Sequence, residues 1–166
     1  MWAYDANLNI LWTFQGNLGK TPVVCDINGD GKDEVIAGYN VINSSGELIW
    51  KADMPDSASS VYSDDIYGNG QTVIIICGPK VQAYTAEGGL LWELDRPASK
   101  ITCGNFRSGV TNKDFLIFDD LSLFDLQGEF QFRKNETIYL PTLVHNFDGT
   151  NRTYIAGHKK EDVLTT

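Results

Sequence analysis

The sequence predicts an all-β chain: a β-propeller of four blades, each of four strands and about 40 residues. Three observations point there. Turn residues followed by an apolar run and an aromatic recur, in DANLNILWTF near Trp12, NSSGELIWKA near Trp50, TAEGGLLWEL near Trp92, and DLQGEFQFR with Phe130 in the same place. A second repeat runs in step and opens polar loops at Asp26, Asp65, Asn105 and Asn146. Between these marks, short β-branched and aromatic runs alternate with Gly, Asn, Asp and Ser, and no stretch carries a helical pattern. One four-stranded sheet cannot bury both of its faces, so neighbouring blades must cover each other.

The first full unit sets the plan. Pro22–Asp26 is one strand, and Glu34–Gly38 follows an acidic loop. Asn40–Asn43 is the third strand, and Glu47–Ala52 the fourth after Ser44-Ser45-Gly46. Blades fall at about 20–54, 61–95 and 99–133, with 139–166 plus 1–14 forming a composite fourth, all within one domain spanning 1–166. The composite follows from the ends. WAYDANLNILWTF matches VQAYTAEGGLLWEL, the last two strands of a blade, and PTLVHNFDGTNRTYIAGHKKEDVLTT reads as the first two. Joining them would hide two sheet edges. The ring is then a closed four-bladed one, or a larger ring shared by two chains as a homodimer or cut from a longer chain. The repeated Trp sits at one fixed blade position, where a large aromatic fills the wedge between blades. An aromatic platform for a sugar is the sharper alternative.

Bulk properties narrow the class. The 166 residues are 42% hydrophobic, which suits one compact domain with a core. A net charge of −9 argues against a nucleic-acid partner. The longest apolar run, Val73–Cys77, is strand-sized and far short of a membrane span. The opening MWAYDANLNILW has no basic-then-apolar leader pattern. Cys25, Cys77 and Cys103 show no metal spacing, and their odd number argues against a disulfide framework. They read as free thiols buried in strands.

The loop DINGDGKDE carries the clearest chemistry. Counted from Asp26, alternate positions hold Asp26, Asn28, Asp30, Lys32 and Glu34. Alternating oxygen side chains on a tight turn can converge on one hard cation, and calcium suits such a set. Asp26, Asn28, Asp30 and Glu34 would offer side-chain oxygens, and Lys32 its carbonyl. Gly29 and Gly31 permit the backbone angles. Asp33 should point away. A helix-loop-helix calcium sensor is disfavoured, because its twelfth position needs an acid and here holds Ala37. A polar turn without an ion is the bland alternative, but three carboxylates with no basic partner would repel. The other loops lack the set. The second has Asp65, Tyr67, Asn69, Gln71 and Val73; the fourth has Asn146, Asp148, Thr150, Arg152 and Tyr154; the third has another length and a basic residue. One structural ion is therefore expected, with the other loops as plain turns.

The run D-x-N-G-D-G-x-x-E before an apolar strand and Gly resembles the calcium-binding repeat of FG-GAP/VCBS-type β-propellers. These occur in integrin α-subunit heads, in secreted bacterial adhesion proteins and in family 11 rhamnogalacturonan lyases. SSGELIW is also similar to blade ends of quinoprotein-like propellers. The resemblance implies a calcium-stabilised fold, usually extracellular, but one fold hosts many functions.

The leading expectation is a non-catalytic binding or scaffolding module for a protein or glycan. The alternative is a polysaccharide lyase of the rhamnogalacturonan type, or a propeller fragment of one. That chemistry needs a base beside a cation-acidified uronate. His145 and His158 are the candidates, though each reads better as an ordinary histidine. A quinone-dependent dehydrogenase fragment has only the Trp pattern behind it. Gly88-Gly89 is too short to cradle phosphate. Glycosylation triplets stand at Asn43, Asn135 and Asn151.

Overall fold

The computed structural model describes residues 1–54, 60–110, 113–134, 138–145 and 152–159, with the side chains of 138–145 and 156–159 outside that description. The chain is all-β. Among the described residues no helix is long and apolar enough to cross a membrane. Two compact units divide it, Met1–Lys100 and Ile101–Thr166.

The first unit opens with β1 (Trp2–Tyr4) and β2 (Ile10–Thr13), a two-stranded sheet. Next comes a four-stranded blade of β3 (Val23–Cys25), β4 (Glu34–Ala37), β5 (Asn40–Ile42) and β6 (Leu48–Lys51). A second blade follows, with β7 (Ser60–Asp64), β8 (Val73–Cys77), β9 (Val81–Thr85) and β10 (Leu90–Leu94). The second unit has a third blade of β11 (Ile101–Gly104), β12 (Asp114–Ile117), β13 (Ser122–Phe124) and β14 (Phe130–Arg133). It ends in the two-stranded sheet of β15 (Ile138–His145) and β16 (Thr153–Lys159). Each full blade is an antiparallel meander in chain order, because a polar turn returns each strand beside its predecessor.

The middle strands are the core. β5, β8, β12 and β13 are buried throughout. Both of their faces are covered, so they read as near-continuous apolar runs rather than alternating ones. In the first unit one cluster joins Ile36 and Val41 of the first blade to Ile74, Ile76 and Tyr84 of the second. In the second unit Leu116, Phe118, Leu121 and Leu123 pack with Phe106 and Ile155. The outer strands β6, β10 and β14 stay largely exposed.

The last hairpin of each blade repeats in atomic detail. Gly46, Gly88 and Gly128 have φ of 85, 87 and 84°. Each donates its N–H three residues back, at 2.9, 3.0 and 3.0 Å, and the ladder slips beside it. This is a tight turn with a glycine-type bulge. The glycine also makes room. A Cβ on Gly46 would lie 2.7 Å from Trp12, and one on Gly88 2.8 Å from Trp50. The indole N–H groups then donate to Ser44 O at 3.0 Å and Ala86 O at 2.7 Å. Trp12 and Trp50 are therefore inter-blade anchors. In the first hairpin Leu8 takes the glycine's place with φ of 64°. The register corrects one expectation. Trp12, Trp50 and Trp92 face Ala3, Val41 and Ala83, and the residue facing Leu123 is Phe132. Phe132, not Phe130, holds the Trp position: it stands four residues after Gly128, as Trp50 and Trp92 stand four after Gly46 and Gly88.

None of the three cysteines is in a disulfide: Cys77 and Cys103 are buried, and Cys25 is half-buried with Sγ 3.1 Å from Ser63 Oγ.

Candidate metal centre

The loop from Asp26 to Asp33 joins β3 to β4, so both its ends are fixed by the ladder that closes at the Cys25–Glu34 pair. Gly29 and Gly31 have φ of 77 and 81°. Asp26 organises the turn. Its Oδ1 accepts the N–H groups of Gly29 (2.7 Å) and Asp30 (3.2 Å), and its Oδ2 that of Gly31 (2.9 Å). The Gly31 N–H is the leading cause that holds the Asp26 carboxyl below its ordinary range. Asn28 Oδ1 accepts the Asp30 N–H at 2.9 Å, and Asp30 Oδ1 the Lys32 N–H at 2.8 Å.

Glu34 is the exception in burial. It is 2% exposed, whereas Asp33 beside it faces solvent. Its Oε2 accepts the Ile27 N–H at 3.2 Å. Burial pushes its carboxyl pKa up; the Ile27 bond opposes this, and Asp30, Asp26 and Asp33 add repulsion.

The donors are hard oxygens, which fits calcium in kind. They are not yet gathered: among the described residues no three acid, His or Cys side chains form a metal-holding group. Each loop carbonyl or carboxylate oxygen named above is turned onto a backbone N–H.

The blades supply an internal comparison. The residue that opens the second strand is Glu34, Val73, Asp114 and Thr153 in turn, each closing the same strand pair. All four are buried. Val73 carries no charge. Thr153 Oγ1 accepts the Asn105 N–H at 3.0 Å. Asp114, fully buried, takes a two-pronged pair from Arg107, whose Nη2 lies 2.6 Å from Oδ1 and whose Nε lies 3.0 Å from Oδ2. Arg107 Nη1 also donates to Gln131 Oε1 at 2.6 Å, and Gln131 Nε2 to Asp125 Oδ2 at 2.9 Å. Asp114 raises the Arg107 pKa further above its ordinary value. Among the described residues, Glu34 alone is a buried acid at this place with no cationic side chain against it. Arg107 escaped the sequence reading as a partner; the basic residue in the third loop was its only signal.

The expected histidines lie on β15 and β16, with side chains outside the described residues. Asn135 and Asn151 also fall outside them. Asn43 is engaged in its turn: Oδ1 accepts the N–H groups of Ser45 (3.0 Å) and Glu47 (2.9 Å).

No family model matches the chain, and no curated protein does. Solved structures do. The exotype rhamnogalacturonan lyase YesX aligns with a TM-score of 0.65 at 18% identity, over 93% of this chain and 32% of that one. The Bacillus licheniformis rhamnogalacturonan lyase PL11 aligns with a TM-score of 0.65 at 14% identity, over the same shares. The V. cholerae biofilm matrix protein Bap1 aligns with a TM-score of 0.58 at 21% identity, over 76% of this chain and 22% of that one. The chain thus spans about a third of the lyases' length or less. At these identities the likeness establishes the fold: this is an all-β chain of four-stranded propeller blades.

Proposed function

We propose that the chain is a calcium-stabilised, non-catalytic propeller module that binds a protein or a glycan, in an extracellular setting where calcium is plentiful. One observation carries the calcium reading: Glu34 is buried beside Asp26 and Asp30 with no cationic side chain against it among the described residues, where the equivalent Asp114 has Arg107. A cation there would relieve the repulsion, with Asp26, Asn28, Asp30 and Glu34 giving side-chain oxygens and Lys32 its carbonyl. The ion's role is to clamp the loop between two strands.

Thermal unfolding of the purified chain, with calcium and with chelator, tests this. Calcium at about 100 times its Kd should raise Tm by about 5–10 °C. Glu34→Gln should abolish most of that rise. Identical midpoints with and without the ion would sink the calcium claim.

A lyase, or a propeller portion of one, is the second reading. The likeness to two rhamnogalacturonan lyases favours it. Incubation with a rhamnogalacturonan in calcium should then give the ultraviolet absorbance of an unsaturated uronate. A flat trace removes the lyase reading for this chain, and a rising one removes the non-catalytic one.

A further inference from the structure

The second loop keeps the fold of the first but has no acid where the first has Asp30 and Glu34. Gly68 and Gly70 have φ of 68 and 81°, close to those of Gly29 and Gly31. Asp65 accepts the N–H groups of Asn69 at 3.0 Å and Gly70 at 2.8 Å, as Asp26 accepts those of Asp30 and Gly31. Gln71 N–H donates to Asn69 Oδ1 at 3.0 Å, as Lys32 N–H does to Asp30. This loop is therefore held by its own carboxylate and amide. Where the first loop has Asn28, Asp30 and Lys32, it has Tyr67, Asn69 and Gln71.

Those three side chains line a cleft of about 590 Å³ in the first unit, between the two loops. Asn28 of the first loop and Glu87, on the β9–β10 turn, are part of its lining. Buried Ile27 and Val73 also line it, while Tyr67 and Leu91 are 40 and 43% exposed. The volume is in the range of small-molecule sites, and the lining combines apolar area with a few polar groups.

We propose that this cleft binds a neutral saccharide. This deepens the glycan-binding reading above and rests on it. Amides both donate and accept, which matches sugar hydroxyls, and an exposed tyrosine ring suits the C–H face of a pyranose. The Glu87 carboxylate on the cleft accepts hydroxyls and repels anions, so a uronate is disfavoured.

Amide NMR titration of the full chain tests the assignment, with cellotetraose, galactotetraose, mannotetraose and trigalacturonate as probes. At least one neutral probe should give saturable shifts at Tyr67–Val73 and Thr85–Glu87. Tyr67→Ala and Gln71→Ala should each weaken that binding by about tenfold or more. Trigalacturonate should leave the cleft amides unmoved. Silence from every neutral probe, shifts only elsewhere, equal affinity in both variants, or preferred binding of trigalacturonate would overturn the proposal. So would shifts at these amides with an oligolysine peptide alone, which would make the cleft a basic-peptide site. The calcium reading fails separately: saccharide shifts alongside a Tm indifferent to calcium would sink it and leave the saccharide site standing.

Discussion

Charge compensation at single residues separates the blades. A buried carboxylate must be neutralised, paired or relieved by a cation. The third blade uses Arg107 on Asp114, the second avoids charge with Val73, and Glu34 in the first has, among the described residues, one backbone N–H and acidic neighbours. Removing half of the buried pair should therefore cost far more than removing both. Arg107→Met should destabilise by about 3–5 kcal/mol, because Asp114 is left charged and buried. The double variant Arg107→Met/Asp114→Val, which copies the second blade, should recover most of that loss. Urea unfolding of both variants checks this, and equal destabilisation by the two would refute the counter-charge role. The Lys80–Glu93 pair shows the contrasting surface case. Its hydrogen bond lowers the Glu93 pKa and raises that of Lys80, yet both side chains are a third or more exposed. Its contribution is present above the unfolded Glu pKa and below the unfolded Lys pKa. It is lost as pH falls through the folded Glu93 value or rises through the folded Lys80 value, and solvent screening keeps it small.

Among the elements, the outer hairpin is the most fully specified. At Gly46 and Gly88 the glycine is demanded twice, by positive φ and by the indole of the preceding sheet lying against it. Gly88→Ala puts a methyl 2.8 Å from the Trp50 ring as well as an L-residue in the left-handed region. Gly29→Ala meets only the second problem, since nothing lies within 4 Å of its Cβ. The expected costs are about 1 kcal/mol for Gly29→Ala and about 2–4 kcal/mol for Gly88→Ala. Denaturant midpoints in chelator, which removes any ion effect on the first loop, should show that order; equal costs would mean that the Trp–Gly contact does not hold the blades. The period, the turn residues and the strands were legible because all of this chemistry is local. The expected strands at 22–26, 34–38, 40–43 and 47–52 differ from the observed ones by one residue or so at the ends, where turns trim the ladder. The Phe130 assignment failed on spacing: the tryptophans stand four residues after the turn glycine, and four after Gly128 is Phe132.

Across the whole chain, each compact unit carries a core of its own. That of the first unit draws on two blades, so neither blade has a complete interior alone. Ile76 is fully buried there, whereas Leu11 on β2 is 62% exposed. Ile76→Ala should cost about 2–5 kcal/mol, and Leu11→Ala no more than about 0.5 kcal/mol. Tryptophan fluorescence during denaturant unfolding reports both, since Trp12 and Trp50 sit at contacts between sheets. Similar losses in the two variants would contradict a core shared between blades.

The sequence by itself determined the all-β blade plan, the glycine turns, the placing of the tryptophans and the loop whose oxygens suit a cation. Those features depend on neighbours a few residues apart, and the pattern of side chains records them directly. Tertiary structure decided the rest. It buried Glu34 and exposed Asp33, gave Asp114 its arginine and opened the cleft beside Tyr67. Burial, register and charge balance are set by which surfaces meet when blades stack, and that meeting is not written in any single repeat.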